Sequence, residues 1–300
     1  MTSAPDSGRE ATGRLRLTYG CGTDLGLRRE LNEDSLLAAE PIFAVADGMG
    51  GHEAGEIASG VCVRTLERSL PAARLPEFSS EDLEQLIQEA DAAIRAETGG
   101  KAGTTLSGVV VVQDAGVPCW LFFNVGDSRT YRLSGDRFGQ VSVDHSEVQE
   151  LVELGEITTA EARTHPRRHV VTRALGTGDD AEADYWLMPV RTNDRILICS
   201  DGLTGEVDDD GIYDVLSTVP DPQSATDALI EATLRSGARD NVTVIVLDAV
   251  LDDAAVLDDA TGPVGDVGAG RSGATAVDPE VLPVRAAHRS VIIEADRPPA

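Results

Sequence analysis

Four aspartates share one local context. The apolar run Ile42–Ala46 leads into Asp47-Gly48-Met49-Gly50-Gly51, and Ile196–Cys199 leads into Ser200-Asp201-Gly202. Leu121–Val125 leads into Gly126-Asp127-Ser128, and Arg239-Asp240-Asn241 opens the apolar stretch Val242–Leu247. An apolar run of strand length fixes where the side chain at its end points, and a neighbouring glycine lets the backbone turn sharply and approach a bound group. Taken singly, each Asp-Gly or Gly-Asp pair also reads as an ordinary turn. Four such carboxylates converging would repel one another unless positive charge sat between them. Hard oxygen donors in that number suit Mg2+ or Mn2+, and more than one ion.

Upstream, Arg28-Arg29-Glu30-Leu31-Asn32-Glu33-Asp34 sets acids beside arginines. This reads either as a surface salt-bridge cluster or as part of the same centre, with Glu33 and Asp34 serving metal-bound water and Arg29 a planar oxyanion. A guanidinium fork matches phosphate bidentately, which is why arginine suits that task. His52 is not needed by an oxygen cluster and reads as a structural residue. His165 and His169 stand at a zinc-like spacing, but Pro166 between them disfavours a regular helix face. No GxxxxGK[ST] phosphate loop occurs, and Ser200 lacks a G-x-S-x-G elbow. Cys199 lies inside an apolar run and reads as a core residue rather than a nucleophile.

The elements that would position these residues alternate without a repeat of solenoid length. Candidate strands are Ile42–Ala46, Thr105–Val112, Cys119–Val125, Thr130–Leu133, Arg195–Cys199 and Val242–Leu247. The second and third are joined by a Gln-Asp-Ala-Gly-Val-Pro loop that reads as a hairpin. Ser79-x-x-Asp82 is a capping-box start to a helix carrying Leu83, Leu86, Ile87, Ala90 and Ile94 on one face. Residues 54–70 and 223–236 also read as helices. Consecutive hairpin-joined strands with helices packed outside give an α+β layered domain. Residues 1–13 and 251–300 read as disordered, the latter an acidic tail rich in Asp-Asp, Gly-Pro and Gly-Ala pairs.

The whole chain of 300 residues carries 25 Lys+Arg against 52 Asp+Glu, a formal charge of −27. Residues 251–300 hold nine acids and four bases, so −22 belongs to the first 250 residues. That balance argues against nucleic acid or an anionic membrane as partner. The hydrophobic share of 41% supports a sizeable core. Four separated cysteines with no CxxC pair, and no apolar run of membrane-spanning length, point to a soluble protein of a reducing cytoplasm.

Six motifs then fall in order: Arg29-x-x-Asn-Glu-Asp34, Ala46-Asp-Gly-Met-Gly-Gly51, Gly103-Thr-Thr105, Asn124-Val-Gly-Asp-Ser-Arg129, Ser200-Asp-Gly-Leu203 and Arg239-Asp-Asn-Val242. The series closely resembles the metal-dependent protein phosphatases (PPM, or type 2C, serine/threonine phosphatases) in their bacterial form, over roughly residues 14–250. The resemblance implies a central β-sandwich of two antiparallel sheets flanked by helices, in four αββα layers, with a binuclear Mn2+/Mg2+ centre at one end. It implies that Asp47 bridges both ions and that Gly48 lends its carbonyl oxygen. Asp201 and Asp240 would complete the first ion, while Glu33 and Asp34 would serve the second largely through water. Asp127, with Asp201, matches the position of a weaker third ion, and Arg29 matches the phosphate-binding arginine. Met49 stands where many eukaryotic members carry a candidate acid histidine, so the proton donor to the leaving group stays open.

In the resembling family, residues 144–176 correspond to the flap beside the active site. The stretch is basic here, through Arg163, Arg167, Arg168 and Arg173. It reads either as a solvated charge run or as a receiver for phosphoprotein, with His169 near the third ion. The implied reaction is hydrolysis of phosphoserine and phosphothreonine by a metal-activated water, without a phosphoenzyme. Implied partners are phosphorylated proteins, including Ser/Thr kinases and their substrates, acting on a monomer. Two readings stand beside this one. A catalytically inactive phosphoprotein-binding module on the same fold would be signalled by loss of Asp47, Asp201 or Asp240, all of which are present. The other is a phosphatase of small molecules or phosphotyrosine.

Overall fold

In the strand β3 (Ile42–Gly50), Ile42, Ala44 and Ala46 pack to one side while Phe43 and Val45 pack to the other. Strands covered on both faces lose the polar half of the alternating pattern, which is why they read in sequence as continuous apolar runs. A computed structural model describes residues 15–50, 54–70, 78–178 and 182–251. The expectations for residues 1–13, His52 and 252–300 lie outside the described residues.

Before β3 come β1 (Leu15–Asp24) and β2 (Asp34–Ala39). After it come α1 (Ala54–Ser69), α2 (Ser80–Thr98), β4 (Ala102–Thr104), β5 (Leu106–Asp114), β6 (Val117–Val125), β7 (Arg129–Ser134) and β8 (Arg137–Gln140). The flap region holds α3 (Glu147–Glu153) and α4 (Thr159–Ala162). The chain continues through β9 (Asp184–Pro189), β10 (Arg195–Cys199), α5 (Asp201–Thr204), α6 (Asp209–Thr218), α7 (Pro222–Ser236) and β11 (Val242–Leu251).

Every strand pairing is antiparallel. One sheet runs β1-β11-β10-β7-β8, and the other runs β2-β3-β5-β6-β9 with β4 attached to β3. Three apolar layers hold them. Between the sheets, Phe43, Val45, Trp120, Phe122 and Trp186 meet Ile196, Ile198, Ile245 and Leu247. Outside the second sheet, α1 and α2 bury Ala58, Leu66, Leu83, Ile87 and Ile94. Outside the first, α6 and α7 bury Ile212, Leu216, Ala225 and Leu229 against Leu197, Val244 and Val246. The order is helix, sheet, sheet, helix, the expected αββα sandwich.

Helix ends follow local chemistry. Ser79 and Asp82 form the capping box of α2, and Gly99 closes it with φ +64°. Asp221 caps α7 by accepting from the Ser224 amide, ahead of Pro222 in the first turn.

β3 differs from the sequence expectation in a way that matters for function. It runs on past Ala46 to Gly50 because it changes partner. Ile42–Val45 pair with β5, and Gly48–Gly50 pair with β4. Asp47 sits at that change. β11 likewise extends to Leu251, which pairs with Leu15.

Candidate metal and phosphate site

At the partner change in β3, the backbone around Asp47 is fixed from both sides. Its amide donates to Thr105 Oγ1 (3.0 Å), and its carbonyl accepts from the Thr105 amide (2.9 Å) and Thr104 Oγ1 (2.9 Å). Thr105 is the joint between β4 and β5, so one residue breaks the sheet and holds the aspartate. Asp34, the first residue of β2, is the registered partner of Asp47 across the β2–β3 ladder.

The other acids arrive from the opposite sheet. Asp201 starts α5 directly after β10, and Asp240 lies just before β11. α5 passes so close to the following loop that a Cβ on Gly202 would stand 1.9 Å from the Asn241 carbonyl oxygen, so only glycine fits there. Asn241 ties the entry loops together. Its Oδ1 accepts from the Glu33 amide (2.9 Å), and its Nδ2 donates to the carbonyls of Leu25 (2.9 Å) and Leu31 (3.0 Å). Glu33 therefore stands beside Asp240 although the two are far apart in sequence.

The electrostatics record the convergence. Burial pushes Asp47 well above the usual carboxylate range, and Asp34, Asp201, Asp127 and Asp240 all repel it in the same direction. Burial also raises Asp34, to about 6. Hydrogen bonds from Thr243 and Ser200 oppose that rise, and the charges of Asp201 and Asp240 add to it. Asp127 is pushed well above its ordinary value by burial, then by Asp201 and Asp144, with Arg129 opposing. Five aspartates thus share one end of the sandwich, where neighbouring charges add to burial in making Asp34, Asp47 and Asp127 harder to ionise.

Asp34 supplies a test of whether cations belong there. Its Oδ2 accepts from Ser200 Oγ (2.8 Å) and Thr243 Oγ1 (2.7 Å), while its Oδ1 is buried without a partner. A buried carboxylate oxygen left unpaired is costly. Together with an all-oxygen donor set, it fits a hard divalent cation. Among the described residues, no three His, Cys, Asp or Glu side chains stand as a closed metal-holding group. Two of the acids have basic partners in the protein. Arg29 Nη2 binds Asp240 Oδ2 at 2.7 Å, and His169 Nδ1 lies 3.7 Å from Asp201 Oδ2.

Arg29 thus stands at the rim with Asp240 and, 3.8 Å away, Glu33. The flap residues are more scattered than the phosphoprotein-receiving expectation requires. Arg163 pairs with Asp209 (3.5 Å), Arg167 with Glu147, and Arg173 with Asp184 (3.2 Å). Arg168 donates to the His165 carbonyl (3.4 Å). Three of the four arginines are bound to the protein's own acids: Arg167 to an acid of the flap itself, and Arg163 and Arg173 to acids outside it. His169 Nδ1 brings the flap within 3.7 Å of Asp201 Oδ2.

Sequence reading gave no individual role to Thr105, Ser128, Ser200, Thr243, Asn241 or His145. For Thr105 and Thr243 the available signal was a hydroxyl within an expected strand; the other four lie outside the expected strands and gave none. All six are buried.

Burial disfavours the thiolate at all four cysteines. Burial pushes the thiols of Cys62 and Cys199 up to about 12, and that of Cys119 up to about 11.

Residues 25–243 match the model of the family described as protein phosphatase 2C. The serine/threonine protein phosphatase PstP of Mycobacterium tuberculosis is 39% identical over 248 residues, which cover 79% of this chain and 46% of PstP. The chain therefore spans about half the length of that relative. The serine/threonine phosphatase stp of Listeria innocua is 36% identical over 240 residues, covering 75% of this chain and 93% of stp. A crystal structure of the catalytic domain of PstP in complex with two manganese ions superposes with a TM-score of 0.72 at 36% identity. That match covers 79% of this chain and all of the other.

Proposed function

The chain belongs to the protein phosphatase 2C family, and we propose that it hydrolyses phosphoserine and phosphothreonine in proteins with the help of divalent cations. The observation that carries this reading is the convergence of Asp34, Asp47, Asp127, Asp201 and Asp240 beside Arg29, with one buried oxygen of Asp34 unpartnered. The manganese-bound relative supports Mn2+ as the ion.

In this reading Asp47, the Gly48 carbonyl, Asp201 and Asp240 would hold one ion, Glu33 and Asp34 with Asp47 would serve a second, and Asp127 with Asp201 would hold a weaker third. When bound, such ions supply positive charge that acidifies water and offsets charge on phosphoryl oxygens.

The protein's own groups do the rest by position. Thr104 and Thr105 fix the backbone of Asp47, so its carboxylate enters the site at a set depth. Ser200 and Thr243 hold one oxygen of Asp34 and leave the other without a protein partner. Arg29 offers a planar fork to phosphoryl oxygens at the rim, held in reach by Asp240 and Glu33. Catalysis of this kind is mostly positioning and electrostatics.

Substrates are phosphorylated proteins, with Ser/Thr kinases and their targets as the partner class, and the enzyme works as a cytoplasmic monomer. Among the described residues, no helix is long and apolar enough to cross a membrane. Hydrolysis of a phosphothreonine peptide with Mn2+, and its loss in EDTA, tests the reading. Turnover that persists in EDTA would sink it.

A further inference from the structure

His145 is buried and lies outside the carboxylate cluster, yet it touches both the Asp127 turn and the root of the flap. Its ring Nδ1 accepts from the Gly126 amide at 3.0 Å. A nitrogen that accepts carries no hydrogen, so the neutral ring has its hydrogen on Nε2. That nitrogen faces Asp184 Oδ2 at 3.2 Å. The backbone of His145 repeats the link: its amide donates to the Gly126 carbonyl (2.8 Å), and its carbonyl accepts from the Thr172 amide (2.8 Å). The two ends of the flap meet at this point, where Ser146 also bridges to Val171.

Contacts continue in both directions. Gly126 has φ +101°, and a Cβ there would lie 2.6 Å from Thr105 Cγ2. Thr105 Oγ1 shares a hydrogen bond with Ser128 Oγ (2.7 Å) and accepts from the Asp47 amide. On the other side, Asp184 Oδ1 lies 3.2 Å from Arg173 Nη1, which also donates to the Glu182 carbonyl (2.8 Å). An unbroken series therefore runs Asp47, Thr105, Ser128 and Gly126, His145, Asp184, Arg173. Arg173, which reads from sequence either as part of a solvated charge run or as a receiver of phosphoprotein, anchors the flap here through Asp184 and Glu182.

We propose that His145 is a positioning residue that sets the Asp127 turn through Gly126 and locks the flap root through Asp184. This inference rests on the phosphatase reading. It assigns two separable jobs to two ring nitrogens, and side-chain reach separates them. Asn extends about as far as Nδ1, and Gln about as far as Nε2. His145→Asn keeps an acceptor for Gly126 and loses Asp184; His145→Gln does the reverse.

The test uses the full chain and two readouts. Mn2+ binding to the EDTA-stripped protein is followed by calorimetry, and steady-state kinetics compare a phosphothreonine peptide with p-nitrophenyl phosphate. His145→Gln should weaken the most weakly bound Mn2+ by about tenfold, the scale seen when partners that orient metal ligands are removed. His145→Asn should bind Mn2+ more tightly than His145→Gln. It should also raise KM for the peptide several-fold more than KM for p-nitrophenyl phosphate. Asp184→Ala should reproduce the kinetics of His145→Asn, and it keeps the inference testable if a ring replacement fails to fold. Equal Mn2+ affinities in the two His145 variants would overturn the inference, as would an unchanged KM ratio in Asp184→Ala. Absent Mn2+-dependent turnover by the wild type would instead overturn the phosphatase reading, and the binding isotherms would still decide the role of His145.

Discussion

Asp34 and Asp47 stand directly opposite each other on β2 and β3, two like charges in one cross-strand pair. Such a pair destabilises a sheet unless something offsets it. Here the hydroxyls of Ser200 and Thr243 reach across from the other sheet to one oxygen of Asp34, and the other oxygen is left without a protein partner. The pair therefore joins the two sheets at the end where the site lies. It also gives the metal-free protein a pH dependence of known sign.

Asp34 is raised from its ordinary 3.8 to about 6, chiefly by burial. The native protein thus holds this proton more tightly than the unfolded chain. Its contribution to stability is fully present below about pH 4 and is lost as pH rises through about 6. Asn has no such titration. In EDTA, the stability of Asp34→Asn relative to wild type should grow between about pH 4.5 and 8, by about 2 kcal/mol. Denaturant titrations at the two pH values check this; a difference that shrinks with rising pH would contradict it.

Arg29 should act on phosphate through its fork rather than by charge alone. Arg29→Ala should lower kcat/KM about 10- to 100-fold, the worth of a charge-assisted hydrogen bond or two, and Arg29→Lys should recover only part of it. Steady-state kinetics on p-nitrophenyl phosphate suffice. Full rescue by lysine would remove the bidentate role.

Arg195 shows what holds the frame behind the site. It is buried, forks onto Asp248, and donates to the carbonyls of Leu216, Val219 and Pro220. Arg195→Met strands one carboxylate and three carbonyls at the junction of β10, β11 and α6. It should cost about 3–5 kcal/mol in denaturant melts. A loss below about 1 kcal/mol, as for an exposed pair, would show that these bonds do not support the sheet.

Much of this arrangement was legible in the sequence, and the gaps have physical causes. The doubly covered strands announced themselves as apolar runs, and the helices by period and by caps such as Ser79 with Asp82. β1 did not, because only Gly20 is buried along it and two glycines interrupt its apolar pattern. β9 passed unnoticed as a six-residue strand paired only to β6. Asp47, Asp127, Asp201 and Asp240 were visible because each follows or precedes an apolar run. The direction of the flap arginines was not, since Asp209, Glu147 and Asp184 become their neighbours only after folding. His145 was equally hidden: its partners Gly126 and Asp184 come from other segments on either side of it in the chain.

The most direct test is turnover of a phosphothreonine peptide by wild type, Asp201→Ala and Asp240→Ala, each in Mn2+ and in EDTA. Wild type should be active with Mn2+ and silent in EDTA. Each variant should fall below about 1% of wild type, a larger loss than the 10- to 100-fold typical of residues that merely support a metal ligand. Near-normal turnover by either variant, or by wild type in EDTA, would contradict a carboxylate-held metal centre.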